Sequence, residues 1–196
     1  MKHSELKEFL DTKVYQYNNP KFIESDPIQI PHQFSLKEDI EIAGFLTATI
    51  AWGNRKSIIK NATYMMQLLD NTPYDFVINH SQNDLDTLET FVHRTFNGID
   101  LIQFIKSLNH IYTVHNGFEH IFKKYAEKDS MQYAIHKLKQ HFFEIEHLTR
   151  TKKHISDPLN KSAAKRINMM LRWFVRNDNA GVDFGIWKSL SPSQLS

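Results

Sequence analysis

Between Lys161 and Arg176 the chain reads KSAAKRINMMLRWFVR, with cations set among apolar residues at helical intervals. At about 100° per residue, Lys165, Arg172 and Arg176 fall within about 20° of one line along such a helix. Ile167, Met170, Leu171 and Phe174 take much of the other side and are expected to pack inward. A line of cations can follow a phosphate backbone. Asn168 lies near it and could bond a phosphate or a base edge, and Ser162 lies near the expected helix entrance, where free backbone N–H groups also favour anions. The same pattern also describes a solvated basic face whose long stems cover apolar surface.

The surrounding charge sharpens the first reading. From Thr149 to Arg176 there are eight basic residues (Arg150, Lys152, Lys153, Lys161, Lys165, Arg166, Arg172 and Arg176) against one acid, Asp157, whereas everything before Thr149 carries a net charge of −4. A formal total of +2 therefore hides a charge division. Such a division points to a polyanionic partner, with DNA the first expectation.

A second stretch, IAGFLTATIAWGNRKSI from Ile42 to Ile58, begins as a small-residue helix able to pack closely and ends at Trp52-Gly53-Asn54-Arg55-Lys56. A tight glycine turn carrying an aromatic ring, an amide and two cations could insert into or brace a nucleic acid. The alternative is that Trp52 is core, Gly53 a helix C-cap and Asn54 the cap of the following helix.

Other chemistries find less in the chain. Among eleven histidines, His115 and His120, His136 and His141, and His147 and His154 miss the i, i+4 spacing of a helical metal pair. His110, His115 and His120 are therefore expected to be ordinary surface or interface residues, and no metal or cofactor is expected. There is no P-loop, GxGxxG or GxSxG. With no cysteine, disulfides and thiolate metal sites are excluded, and the composition fits a reducing cytoplasm. The start lacks a signal-peptide core and no run approaches the length of a membrane span, so no membrane partner is expected.

Helices must hold these groups, because glycine and proline are scarce and apolar residues recur at helical spacing. The pattern predicts helices over Ser4–Tyr17, from a capping box at Ser35–Glu38 to about Ile50, over Arg55–Leu69, and near 74–79, 83–92, 99–113, 117–127, 130–147 and 161–176. Asp26 to Phe34 reads as extended or irregular, Asn177 to Gly181 as a turn, and the last residues as one further short helix. The fold class is all-α, one helical domain of 196 residues. Thr149 to Asn160 is the candidate hinge between two lobes, one made of 1–34 with 149–196 and the other of 35–148.

The order of these pieces resembles a bacterial family of uncharacterised proteins, the domain-of-unknown-function 2400 group. The most specific stretches are KRINMMLRWFVR and VDFGIW, and the resemblance covers nearly the whole chain. That family is in turn similar to the helix-hairpin-helix DNA glycosylases, whose two-lobed helical fold is the architecture the resemblance implies. It further implies that FLTATIAWGNR is an early helix and duplex-probing loop with Gly53 and Asn54 at its tip, and that KSAAKRINMML is the second half of a phosphate-gripping hairpin. Lys165 would then stand where some glycosylases keep a lysine nucleophile, with Arg166 as its neighbouring cation. Two features depart from that pattern. Asn160-Lys161-Ser162-Ala163-Ala164 replaces the usual Gly-x-Gly turn, and Asp183 lies before the place where the family is expected to continue, beyond Ser196, to an aspartate-bearing segment.

The leading expectation is a nucleic-acid-binding helical protein of glycosylase-like architecture, acting in base repair with Lys165 near a flipped nucleotide. Its nucleic-acid contacts would come from Gly53, Asn54, Arg55, Lys56, Lys152, Lys153, Lys161, Ser162, Arg166, Asn168, Arg172 and Arg176. The alternatives are a non-catalytic nucleic-acid-binding module and a helical protein-interaction module.

Overall fold

Helical periodicity becomes ten α-helices among the described residues, 2–126 and 130–195, of the computed structural model. They are α1 (His3–Tyr17), α2 (Pro20–Ile23), α3 (Lys37–Thr49), α4 (Arg55–Leu68), α5 (Pro73–Asn79), α6 (Gln82–Thr87), α7 (Gly98–Val114), α8 (Phe118–Ala126), α9 (Met131–Phe142) and α10 (Lys165–Val175). The only strands among the described residues are β1 (Val92–His93) and β2 (Phe96–Asn97), an antiparallel hairpin pairing Val92 with Asn97 and His93 with Phe96. The chain is all-α, as its sequence predicts.

Several boundaries differ, each for a local reason. The Ser35 capping box does not close; Leu36 is the N-cap of α3 and no side chain caps the helix. The helix expected over 83–92 stops at Thr87, where a 3-10 turn (Leu88–Thr90) leads into the hairpin. The helix expected over 130–147 ends at Phe142, and that over 117–127 is seen to Ala126, its expected last residue lying outside the described ones. The expected irregular stretch Asp26–Phe34 is two 3-10 turns, Pro27–Gln29 and Pro31–Gln33, each begun by its proline. Another 3-10 turn, Pro192–Gln194, stands where a last short helix was expected.

The core forms around α3, which is buried from Ile40 to Thr49. Phe45 meets Phe104, Phe118 and Phe142 with ring centroids 5.8, 4.8 and 5.5 Å apart. On another side α3 packs against α10, and Gly44 faces the Phe174 ring there. A methyl group there would lie 2.6 Å from Phe174 Cζ. Gly44→Ala is therefore expected to destabilise the fold by about 1–3 kcal/mol through overpacking, read as a fall in the thermal midpoint. Alanine is the better helix former by about 1 kcal/mol, so a rise in the midpoint would mean that the buried Phe174 ring yields freely and that this contact does not limit packing.

The segment after α10 folds back on it. Phe184 N–H donates to Trp173 O (2.8 Å) and Trp187 N–H to Phe174 O (2.9 Å), so carbonyls at the end of α10 are satisfied by the VDFGIW stretch. Trp187 Nε1 then donates to the buried Glu41 carboxylate (2.6 Å), which also accepts from Tyr112 Oη (2.7 Å). Burial pushes the Glu41 carboxyl up from its ordinary value, and these two donors oppose the rise. By contrast α1 buries no residue, and its apolar side (Leu6, Phe9, Leu10, Val14) is exposed. It is tied down at its end, where Asn18 donates to Asp178 (2.6 Å) and accepts from Arg176 (2.9 Å). No helix among the described residues is long and apolar enough to cross a membrane.

Candidate nucleic-acid interface

The loop between α3 and α4 is shaped by one glycine and one cap. Gly53 has φ +100°, a conformation L side chains rarely adopt, and a Cβ there would lie 2.4 Å from the Arg94 guanidinium. Asn54 accepts from Ser57 N–H (3.2 Å) and so starts α4. Just before them the chain presents Trp52, half-buried. His93, from the hairpin, meets the Trp52 ring edge-on at 5.0 Å, and His154 lies nearly parallel at 6.3 Å. The Arg166 guanidinium sits 4.8 Å from the ring centroid.

Arg166 is the link between the two basic stretches of the sequence. It donates to Thr49 O, the last residue of α3, while stacking on Trp52 three residues later. Burial pulls its guanidinium down from the ordinary value. A desolvated cation over an indole contributes about 2 kcal/mol, so this contact holds the start of α10 against the Trp52 loop. Arg166, expected to contact nucleic acid, is thus occupied inside the protein.

The segment expected as a hinge, Thr149 to Asn160, is hydrogen-bonded to α7 through its first turn. It folds into 3-10 turns at Thr149–His154 and Pro158–Asn160. Asp100, wholly buried in the first turn of α7, accepts from Thr151 Oγ1 (2.7 Å) at one oxygen. At the other it accepts from Arg150 (3.0 Å) and Asn97 N–H (3.2 Å). His154 Nε2 stands 3.4 Å from the same oxygen but makes no hydrogen bond, and burial pushes its imidazole down from the ordinary value. His93 Nε2 is a second buried nitrogen without a partner among the described residues; the other ring nitrogen of His93 is 2.7 Å from Asn61 Nδ2. Lys152 and Lys153 remain exposed on this pinned turn.

The entrance to α10 is also rebuilt relative to the sequence reading. The helix begins at Lys165, not Lys161, because Asp157 nucleates a tight turn first. Its carboxylate accepts from Leu159 N–H (3.1 Å), Asn160 Nδ2 (2.7 Å) and His136 Nδ1 (3.1 Å). Burial would raise the Asp157 carboxyl, but these partners hold it below its ordinary value. Lys161 and Ala164 both take left-handed backbone (φ 62° and 45°). Ser162 therefore closes a turn by accepting from Ala164 N–H (3.2 Å), and Asn168 donates to Ala163 O (3.3 Å). Among the described residues no side chain caps the first N–H groups of α10.

The expected cationic line along α10 is shortened. Arg176 donates to Asp183, whose side chain is fully buried, and Arg172 Nε lies 3.5 Å from the other oxygen of that carboxylate. Both arginines thus converge on Asp183, with Arg176 also 3.7 Å from Asp178. Arg55 stands 3.8 Å from Asp26. Lys56, Arg94, Lys152, Lys153, Lys161 and Lys165 are exposed, and none makes an ion pair among the described residues. Arg94 is an addition of the structure: it reaches the Trp52 loop because the hairpin tip folds over Gly53.

The profile of the family described as "Protein of unknown function (DUF2400)" matches residues 26–196. The chain belongs to that family. Every candidate residue from Gly53 to Arg176 falls within the DUF2400 match, whereas α1 and α2 precede it. No curated protein and no solved structure matches the chain.

Proposed function

We propose that this chain binds nucleic acid through the surface assembled around Trp52. One observation carries the reading. Arg166 joins the Trp52 loop to the start of α10, and the loop, the hairpin tip, the pinned 149–154 turn and the α10 entrance together expose six cations that are unpaired among the described residues. Cations left without acids cost the fold nothing to lend to phosphates, and their number sets the salt dependence of binding.

Base repair is the finer form of this proposal, with Lys165 acting on a flipped nucleotide. An activated lysine nucleophile is desolvated, whereas Lys165 is exposed. That supports binding more than amine catalysis. The deciding experiment measures affinity for duplexes holding an undamaged base, an abasic site or 8-oxoguanine across a salt series, with a borohydride trap alongside. The expected result is equal affinity for the three, with log K falling linearly against log salt at a slope of about −5 for six phosphate contacts. Tighter binding to one lesion, or an adduct lost in Lys165→Ala, would move the protein to the repair enzymes. No binding at low salt would overturn the proposal.

A further inference from the structure

The far ends of α7 and α9 gather three imidazoles on one carboxylate. His110 and His115 place Nε2 at 2.9 and 2.7 Å from Glu144 Oε2, and His141 places Nδ1 at 2.6 Å from Glu144 Oε1. Straight helical geometry would set His115 roughly 140° round the helix from His110. The helix stops at Val114, however, and His115 (φ −107°, ψ 7°) leaves the helical path. Asn116 and Gly117 follow in left-handed backbone (φ 58° and 84°), and the turn is closed by Gly117 N–H donating to Ile111 O (3.1 Å). The His115 ring therefore lies 5.1 Å from that of His110 and 4.1 Å from that of His141.

This is more nitrogen than the carboxylate needs. Three protonated rings packed at these distances would repel one another around a single negative charge. Three neutral rings and a carboxylate, by contrast, could each offer a lone pair to an ion once the hydrogen bonds between them open. One ligand atom from each of His110, His115 and Glu144 lies within 4.8 Å of the others. His141 lies outside that set; its Nε2 is 3.1 Å from Tyr125 Oη and its Nδ1 holds the other oxygen of Glu144, as a group behind a ligand does. The rings keep 15–20% of their side-chain surface and Glu144 keeps 42%, so an ion has an entry path.

We propose that His110, His115 and Glu144 bind a divalent transition metal of the zinc class, with water as the fourth ligand and His141 steadying the carboxylate from its other oxygen. Imidazole nitrogens with one carboxylate suit zinc and its first-row neighbours, whereas calcium and magnesium take oxygen ligands. Tetrahedral bonds of about 2.0–2.1 Å put neighbouring ligand atoms roughly 3.3 Å apart. The two Nε2–Oε2 contacts are shorter than that by about half an ångström, so Glu144 must retreat by that amount as the ion enters. It can do so, because it sits in the bend after α9 and is exposed. The ion would tie the end of α7 to the end of α9.

The test uses the 196-residue chain, stripped with a chelator and titrated calorimetrically with Zn2+, and with Co2+ followed by visible absorption. One equivalent of Zn2+ at micromolar affinity or tighter is expected, with a four-coordinate cobalt spectrum and a thermal midpoint raised by the metal. His115→Ala should weaken Zn2+ binding by about 100-fold or more and Glu144→Gln by about 10-fold or more, while His120→Ala, an exposed histidine outside the cluster, should leave it unchanged. Glu144 and His120 are exposed and His115 is half-buried, and circular dichroism confirms that the variants fold. No saturable binding, or equal binding in a His115→Ala/Glu144→Gln double variant, would overturn the proposal.

Discussion

Asp100→Ala is expected to lower the stability of the fold by roughly 3–5 kcal/mol, the range for breaking a buried charged network from one side. At about 2–4 °C per kcal/mol for a chain of this size, the thermal midpoint should fall by around 10 °C. The reason is how many groups depend on this carboxylate. It is wholly buried, takes the Thr151 hydroxyl at 2.7 Å and Arg150 at 3.0 Å, and caps α7 through Asn97 N–H. Arg150 keeps 40% of its side-chain surface and can turn to water, whereas the buried Thr151 hydroxyl cannot. Asp100→Asn keeps the shape but presents a donor to one set of donors, so it should recover only part of the loss. The damage should also be local, with the Thr149–His154 turn the first backbone to gain hydrogen exchange or proteolytic cutting. A midpoint within about 2 °C of the unaltered chain would show that the turn is held by its apolar contacts instead.

Asp100 also shows where the sequence stops being informative. Helix positions follow from periodicity, so α3, α4 and α7 lie where their apolar spacing predicts, and Asn54 caps α4 as its type and place suggest. Nothing local to Asp100 announces a partner fifty residues later in Thr151 and Arg150. The hairpin was hidden because its tip carries Arg94 in left-handed backbone in place of the Asn-Gly or Asp-Gly that signals a two-residue turn. KSAAK has good helix formers and so predicts too early an entrance to α10, while the Asp157 turn that overrides them is built from side-chain bonds. The histidine group was invisible for a third reason. Its members lie five residues apart across a helix end and about thirty residues further on, so no single-helix spacing could find them. The basic stretch itself was legible as charge, but pairing was not. Arg166, Arg172 and Arg176 carry the same sequence signal as Lys152 and Lys153, and only the fold separates those paired within the protein from those left unpaired among the described residues.

That separation yields the second large effect. Replacing Lys152 and Lys153 together by alanine is expected to flatten the salt dependence of DNA binding by about 2 in log–log slope, since each lost phosphate contact removes about 0.9. At about 0.1 M salt the same loss weakens affinity by roughly tens of fold, without preference among sequences. Stability should hardly change, because both side chains are exposed and make no ion pair among the described residues. Arg172→Ala with Arg176→Ala should do the reverse. Those substitutions remove both cations paired with Asp183, whose side chain is fully buried, and burial already pushes its carboxyl up from the ordinary value. The expected cost is roughly 2–4 kcal/mol, below that of a wholly buried pair because Arg172 and Arg176 keep 44% and 34% of their side-chain surface. Measured under conditions where the arginine variant is still folded, its salt slope should match that of the unaltered chain. If the arginine variant flattens the slope and the lysine variant does not, phosphate runs along α10 past Arg172 and Arg176, and the surface around Trp52 is not the interface. If neither changes it, the contacts lie outside the 149–176 stretch, and the charge division that first suggested a polyanion has another cause.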